Sequence, residues 1–252
     1  MLANSYLHKV FNAAVVFLAL CFAAPAWSVT ITAFGEEFPP YSFAVDGQAS
    51  GIASDLLRAV CLDAGVDCRI QILPWSRAYR DALNIPNTMV FLTVRSPDRE
   101  SQFDWIGPVL PREIWLYGLA DFSAPIRSFD ELAGYRIAVV YNDVSVVQLK
   151  EAGAPETTFN FVTSHDSTLR MLFGHRVDLA ADTEIAMRWY LRHNGHESDE
   201  VRKVLLLPMR EELYFAINKD SDAATVERLK QSWAKIAASP LRDEVVQRYI
   251  GR

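Results

Sequence analysis

Between Phe129 and Arg192, short apolar runs alternate with amphipathic stretches, and this alternation restricts the fold more than any other feature of the chain. Phe129-Asp130-Glu131-Leu132 reads as a short helix stopped at Gly134, and Ile137-Ala138-Val139-Val140 as a strand rich in β-branched residues. A strand over Phe159–Val162, a helix over Ser167–Phe173, a strand over Val177–Ala181 and a helix over Thr183–Arg192 follow. Strands separated by helices of this length imply parallel sheets with right-handed crossovers, the α/β class.

The flanking segments fit the same plan. Val29–Phe34 alternates like a strand and runs into Gly35-Glu36-Glu37-Phe38-Pro39-Pro40-Tyr41, a loop stiffened by two prolines. Ile52, Leu56, Leu57 and Val60 lie on one face of a helix, Arg69–Leu73 is a strand, and Pro74-Trp75 opens the next helix. Thr88–Leu92 reads as a buried strand, Trp115–Ala120 as an extended apolar segment, and Val204–Pro208 as a return segment. Leu213–Lys219 is a further strand, and two helices, Ala223–Ala238 and Leu241–Gly251, close the sequence.

A chain of 252 residues, 50% hydrophobic and 22% charged, is long enough for one or two cored domains. Its net charge of −6 and lack of any basic run argue against nucleic acid or an anionic membrane surface as partner. Lys9, the apolar run Ala13–Ala23 and Ala24-Pro25-Ala26 have the three-part plan of a cleaved secretory signal, residues 1–26. That places the mature chain in an oxidising compartment, where Cys61 and Cys68 are either two buried thiols or a disulfide. A helix ending at Gly65, with Cys68 opening the next strand, lets the chain double back and bridge them. The five His are scattered without ligand spacing, so no metal or other cofactor is expected.

The most informative stretch is Thr93-Val94-Arg95-Ser96-Pro97-Asp98-Arg99-Glu100, continuing to Phe103-Asp104-Trp105-Ile106-Gly107-Pro108. Ser96-Pro97-Asp98 looks like a helix start, which puts Arg99 in a first turn where the helix dipole disfavours a cation by roughly 0.3–1 kcal/mol. A nearby anion would compensate: Asp98, Glu100 or a ligand.

Strand, then (Ser/Thr)-Pro-(Asp/Glu)-Arg, then an aromatic-rich Gly-Pro resembles the periplasmic solute-binding proteins of polar amino-acid ABC transporters. The resemblance extends over nearly the whole mature chain, including Leu132-Ala133-Gly134 before the Ile137 strand and Gly174-His175-Arg176-Val177-Asp178 through Asp182. It implies a two-lobed fold of type II with a cleft between lobes joined by two hinge strands. The implied lobe 1 comprises 27–118 and 210–252, and lobe 2 comprises 119–209. It implies that Arg99 forks onto a ligand carboxylate and that Asp182 accepts an α-ammonium, although Asp182 equally suits a helix N-cap. Phe38, with Tyr41 second, matches the aromatic ring over the ligand, and Trp75 a cleft-lining position, while Thr93 and Arg95 are possible polar contacts. The family's C-x6-C spacing favours the Cys61–Cys68 disulfide. At Tyr141-Asn142-Asp143-Val144 the sequence departs from the family, placing Asp143 where an anion would be received.

The function so implied is capture of a small polar solute, an amino acid or related carboxylate, by a monomeric periplasmic protein that docks on an ABC permease, without catalysis. Two rivals use the same scaffold. One is a cleft enzyme resembling cyclohexadienyl dehydratase, with Glu184 as candidate acid; the other is a ligand-sensing module.

Overall fold

The computed structural model describes residues 29–141 and 143–251, and the leader expected over 1–26 lies outside them. The chain begins with β1 (Thr30–Gly35), a small hairpin of β2 (Phe43–Val45) and β3 (Gln48–Ser50), and helix α1 (Ile52–Ala64). α1 buries Ile52, Leu56, Leu57, Val60 and Cys61, the stripe expected from their spacing. It ends at Gly65, whose φ of 62° is the left-handed cap conformation that glycine adopts without steric cost. The turn brings β4 (Asp67–Ile72) back alongside, and Cys61 and Cys68 are joined as a disulfide. Helix α2 (Trp75–Asn84) and strand β5 (Thr88–Val94) complete a βαβαβ unit in which β1 pairs in parallel with both β4 and β5.

Strand β6 (Phe103–Leu119) then runs for 17 residues, about three times the usual strand length. Beyond it come β7 (Ile137–Val140), α3 (Val144–Glu151), β8 (Phe159–Val162), α4 (His165–Phe173), β9 (Leu179–Thr183) and α5 (Glu184–His193). Here β7 pairs in parallel with both β8 and β9, so the second unit repeats the strand arrangement of the first. The 18-residue β10 (Val201–Asn218) returns antiparallel to β6; α6 (Ala223–Ala237) packs on the first unit, and α7 (Leu241–Ile250) lies between α1 of the first unit and α5 of the second. The result is one eight-stranded sheet, ordered β4-β1-β5-β10-β6-β9-β7-β8, and two lobes sharing its two central strands.

Each lobe has its own apolar interior. Ile31, Met89, Phe91, Phe215 and Leu229 are among the residues that fill the first, and Ile137, Val139, Leu149, Leu179 and Leu207 are among those of the second. At the waist, Leu110 stands opposite Leu213 and Arg112 opposite Glu211, but Leu206 faces Trp115 while Arg210 faces Glu113, so the ladder slips there. Proline has no amide hydrogen to give to a ladder; Pro111 and Pro208 fall near this slip, and Pro108 at a second one between Leu213 and Phe215.

Three sequence expectations are adjusted. The return segment and the strand after it are one continuous strand, β10. The Phe129 helix is a single 3-10 turn, Asp130–Leu132. No helix begins at Ser96: the backbone amides of Arg99 and Glu100 bond to the Ser96 carbonyl, and the chain re-enters β6 at Phe103 before a helix has room to propagate.

The lobes also touch away from the shared strands. Tyr41 is fully buried and its hydroxyl donates to Thr183 Oγ1 at 2.8 Å, while Arg188 on α5 donates to the Gly251 carbonyl at 3.2 Å. Tyr41→Phe keeps the ring and removes only this bond, so it should lower stability by about 0.5–1.5 kcal/mol in urea titration. Unchanged stability would show that the inter-lobe bond contributes nothing net.

Candidate functional site: a cleft at the carboxyl ends of the strands

In a parallel α/β sheet the loops leaving the carboxyl ends of neighbouring strands diverge where the strand order reverses, opening a crevice. Both lobes have such a point, at β1 and at β7, and the two crevices face one cavity of about 1080 Å³. The loop after β1 supplies Glu36, Glu37 and Phe38, and the loop after β5 supplies Ser96, Asp98 and Arg99. From the second lobe, Tyr141 and Asp143 follow β7, and Ser164, His165 and Asp166 follow β8. The waist of the shared strands contributes Arg112 and Glu211.

Local chemistry fixes these placements. Gly35 lies so close over the Phe91 ring that a β-carbon would collide with it, and this lets β1 turn into its loop directly above the core. Asp143 is the N-cap of α3, its Oδ1 accepting from the Ser145 amide at 2.8 Å. Ser164 caps α4 in the same way, which places His165 at that helix's first position. Leu92 has a φ of 65° where β5 slips against β10, between the pairs Phe91–Phe215 and Thr93–Tyr214. A non-glycine residue held in this region costs on the order of 1–3 kcal/mol, and bulges of this kind re-aim side chains beside functional sites. Leu92 and Val94 line the cavity.

Of the residues singled out in the sequence, Arg99, Phe38, Trp75 and Asp143 line the cavity. Arg99 is only loosely engaged by protein: its Nε is 4.0 Å from Asp98, and its guanidinium lies 5.2 Å from the centre of the Tyr79 ring. The other four stand off the lining. Thr93 alternates away from Leu92 and Val94 and is fully buried. Arg95 forms a two-pronged pair with Glu100, at 2.7 and 2.5 Å, outside the cavity. Tyr41 stacks behind Phe38, with ring centres 4.8 Å apart, and spends its hydroxyl on Thr183. Asp182 has a side chain 2% exposed; its Oδ1 accepts from the Thr183 amide at 2.7 Å, and its Oδ2 lies 3.1 Å from His165 Nδ1. The helix-capping role falls to Thr183, whose Oγ1 accepts from the Ala186 amide. Glu184, the candidate acid of the enzyme alternative, is exposed and bonded to Lys203 at 2.5 Å, off the cavity lining.

Arg112, Glu211, Glu36 and His165 line the cavity without having been singled out. A signal for the first two does exist: Pro111-Arg112-Glu113 and Arg210-Glu211-Glu212 are charged interruptions of otherwise apolar strands, and they lie opposite each other. Arg112 Nη2 is 3.4 Å from Asp143 and its Nη1 3.6 Å from Glu211, so one guanidinium bridges the second lobe to the waist. Burial pushes the Glu36 carboxyl above the ordinary range; Arg112 pulls it down, Asp143 adds to the rise and His165 opposes it. For His165, burial lowers the imidazole, but the charge and hydrogen bond of Asp182 outweigh that and its value lies above the usual one. Among the described residues no group of three or more His, Cys, Asp or Glu is placed to hold a metal ion.

The His165–Asp182 pair therefore links stability to pH. A histidine whose folded value is raised contributes its full stabilisation below about pH 6.5, its unfolded value, and loses it as pH rises through the folded value. The melting temperature of the wild type should fall over that interval, and His165→Gln should flatten this component. An equal slope in the variant would assign the effect to other groups.

Among curated proteins, none is similar enough in sequence to count as a match. Among solved structures, substrate-binding domain 2 of Lactococcus lactis GlnP in its open conformation superposes with a TM-score of 0.69 at 18% identity, over 91% of this chain and 98% of that one. A histidine kinase sensor domain with similarity to periplasmic binding proteins gives 0.69 at 19% identity, over 88% and 96%. An ancestral arginine-binding protein bound to arginine gives 0.66 at 18% identity, over 88% and 99%. At these identities the likeness establishes the fold, that of two-lobed periplasmic binding proteins. The family model described as bacterial extracellular solute-binding proteins, family 3, matches residues 31–252, and the chain belongs to that family.

Proposed function

We propose that the protein captures a small polar solute in the cleft and delivers it, from the periplasm, to the membrane permease of an ABC transporter. One observation carries this: the cavity is walled by strand-end loops of both lobes, and Arg99 faces it with no close carboxylate partner. A planar guanidinium so placed suits two-pronged recognition of a carboxylate. The protein acts by binding, without chemistry, and solute contacts to both lobes favour the conformation in which the lobes are closed on it. Among the described residues no helix is long and apolar enough to cross a membrane. The division at 118/119 and 209/210 belongs to the same proposal. So does the expectation that Asp182 answers an amine, which here would require His165 to move aside.

The similar sensor domain supports a second reading, in which the closed form reports the solute to a signalling partner. Uptake of labelled solute by cells with and without the gene separates the two, since a sensor leaves uptake intact.

The site itself is tested on the small molecule that co-purifies with native protein, identified by mass spectrometry. Arg99→Ala should weaken its binding in calorimetry by about 1.5–3 kcal/mol, the value of a charge-assisted hydrogen bond. The melting temperature of the unliganded protein should change little. Undiminished affinity would return Arg99 to the role of a surface charge.

A further inference from the structure

Arg99 reaches the cavity from the short turn between β5 and β6, where a long side chain has many rotamers open to it. The acids beside it in sequence do not hold it. Glu100 is committed to Arg95, at 2.7 and 2.5 Å, and Asp98 is well exposed, its Oδ2 4.0 Å from Arg99 Nε. What lies against Arg99 is the ring of Tyr79, its centre 5.2 Å from the guanidinium carbon.

That ring is itself braced. The Tyr79 hydroxyl donates to Gln102 Oε1 at 2.7 Å, and Gln102 Nε2 donates to the Asp98 carbonyl at 2.9 Å. The Gln102 amide donates to the Arg99 carbonyl at 2.9 Å, so the turn that carries Arg99 and the ring beside it are tied together. Phe103, almost fully buried, meets the Tyr79 ring edge-to-face at 5.5 Å, and Trp75, one turn earlier on α2, lies 5.7 Å away. Trp75, Asp98 and Arg99 line the cavity, and Tyr79 stands behind them.

The kind of partner matters as much as its presence. A guanidinium can give its face to an aromatic ring and its in-plane N–H edges to a carboxylate. A protein carboxylate would hold Arg99 by the same edges that a ligand carboxylate needs, whereas a ring leaves them free. Arg95 provides the contrast four residues away. It lies by two rings, Trp105 and Tyr214, each 5.8 Å from its guanidinium carbon, but Glu100 takes its edges and it stands off the cavity.

Resting on the reading of Arg99 as the carboxylate-binding group of the cleft, we propose that Tyr79 is its positioning residue. The ring, braced by Gln102, orders the guanidinium before the solute arrives, so less ordering remains to be done on binding. Tyr79 acts on the carboxylate end alone, and its contribution is the same whatever the rest of the solute carries.

Two measurements test this. In proton NMR of the unliganded protein, the ring current should shift the Arg99 δ-methylene protons upfield in the wild type and in Tyr79→Phe, but not in Tyr79→Leu. No upfield shift in the wild type would overturn the proposal without any ligand. In calorimetry with succinate, L-glutamine and L-arginine, each probe that binds should lose at least about threefold in affinity in Tyr79→Leu, by a common factor, and recover most of it in Tyr79→Phe, which keeps the ring face. Tyr79→Leu added to Arg99→Ala should cost nothing further, which a general loss of packing would not reproduce. Unaltered affinity in folded Tyr79→Leu, or an equal loss with Arg99 already gone, would overturn the proposal. If the upfield shift is present but none of the three carboxylates binds the wild type, the carboxylate reading of Arg99 falls, and the proposal falls with it.

Discussion

The pairing of β6 with β10 is the contact on which everything else depends. Each strand belongs to both lobes, so the eight-stranded sheet passes through the waist, and each lobe takes its two innermost strands from this single antiparallel pair. The ladder runs from Asn218 opposite Phe103 to Val201 opposite Leu119 and slips between Lys203 and Leu205, between Leu206 and Arg210, and between Leu213 and Phe215, the middle slip being the longest. That longest interruption lies at the waist, and hydrogen bonds missing there soften the pair at that point. Two lobes joined through such an interrupted pair form the arrangement in which hinge closure is expected.

Arg112 and Glu211 sit in that join, which gives the floor of the cleft a double character. On the proposed reading, a ligand bonded there would act on the angle between the lobes. A ligand can shift such an equilibrium only by its difference in affinity for the two arrangements. Arg99 and His165 reach the cavity from strand ends of opposite lobes, and a ligand touching both would provide that difference if the lobes move relative to each other. Tyr41 and Thr183 add a third point of contact, buried beside the pivot.

The sequence conveys the parts of this structure that local chemistry decides. The α1 stripe, the left-handed Gly65 turn beneath the cysteine pair, Pro74 before α2 and the alternating second lobe are all set within a few residues of themselves. Arg99 is legible because Ser96-Pro97-Asp98-Arg99, shortly after the end of β5, carries the family resemblance. What escaped depends on partners distant in the chain. Arg112 acquires its role from Glu211 and Asp143, and His165 from Asp182, through strand pairing that no local pattern specifies. Thr93 and Tyr41 were ambiguous for a related reason: a strand or loop residue shows that it has two faces, but not which one will look into the gap between lobes. The two lobes also share a strand order that leaves no detectable repeat in the residues, because topology constrains apolarity and not identity.

The chain order of the shared strands has a consequence for how the molecule is assembled. The second lobe takes nearly all of its structure from one continuous stretch. The first must wait for the last part of β10 to lie against β5, where Ile217 meets Met89, and for α6 to seat Trp233 against Phe215. Until then, as the chain folds from its N-terminal end, β5 is an apolar strand with one unpaired edge, the kind of surface on which chains aggregate. The finished lobe has no such edge on β5. The incomplete lobe carries it until the intervening lobe has been passed, so the period of greatest vulnerability is set by the length of that insertion and not by the stability of the final fold.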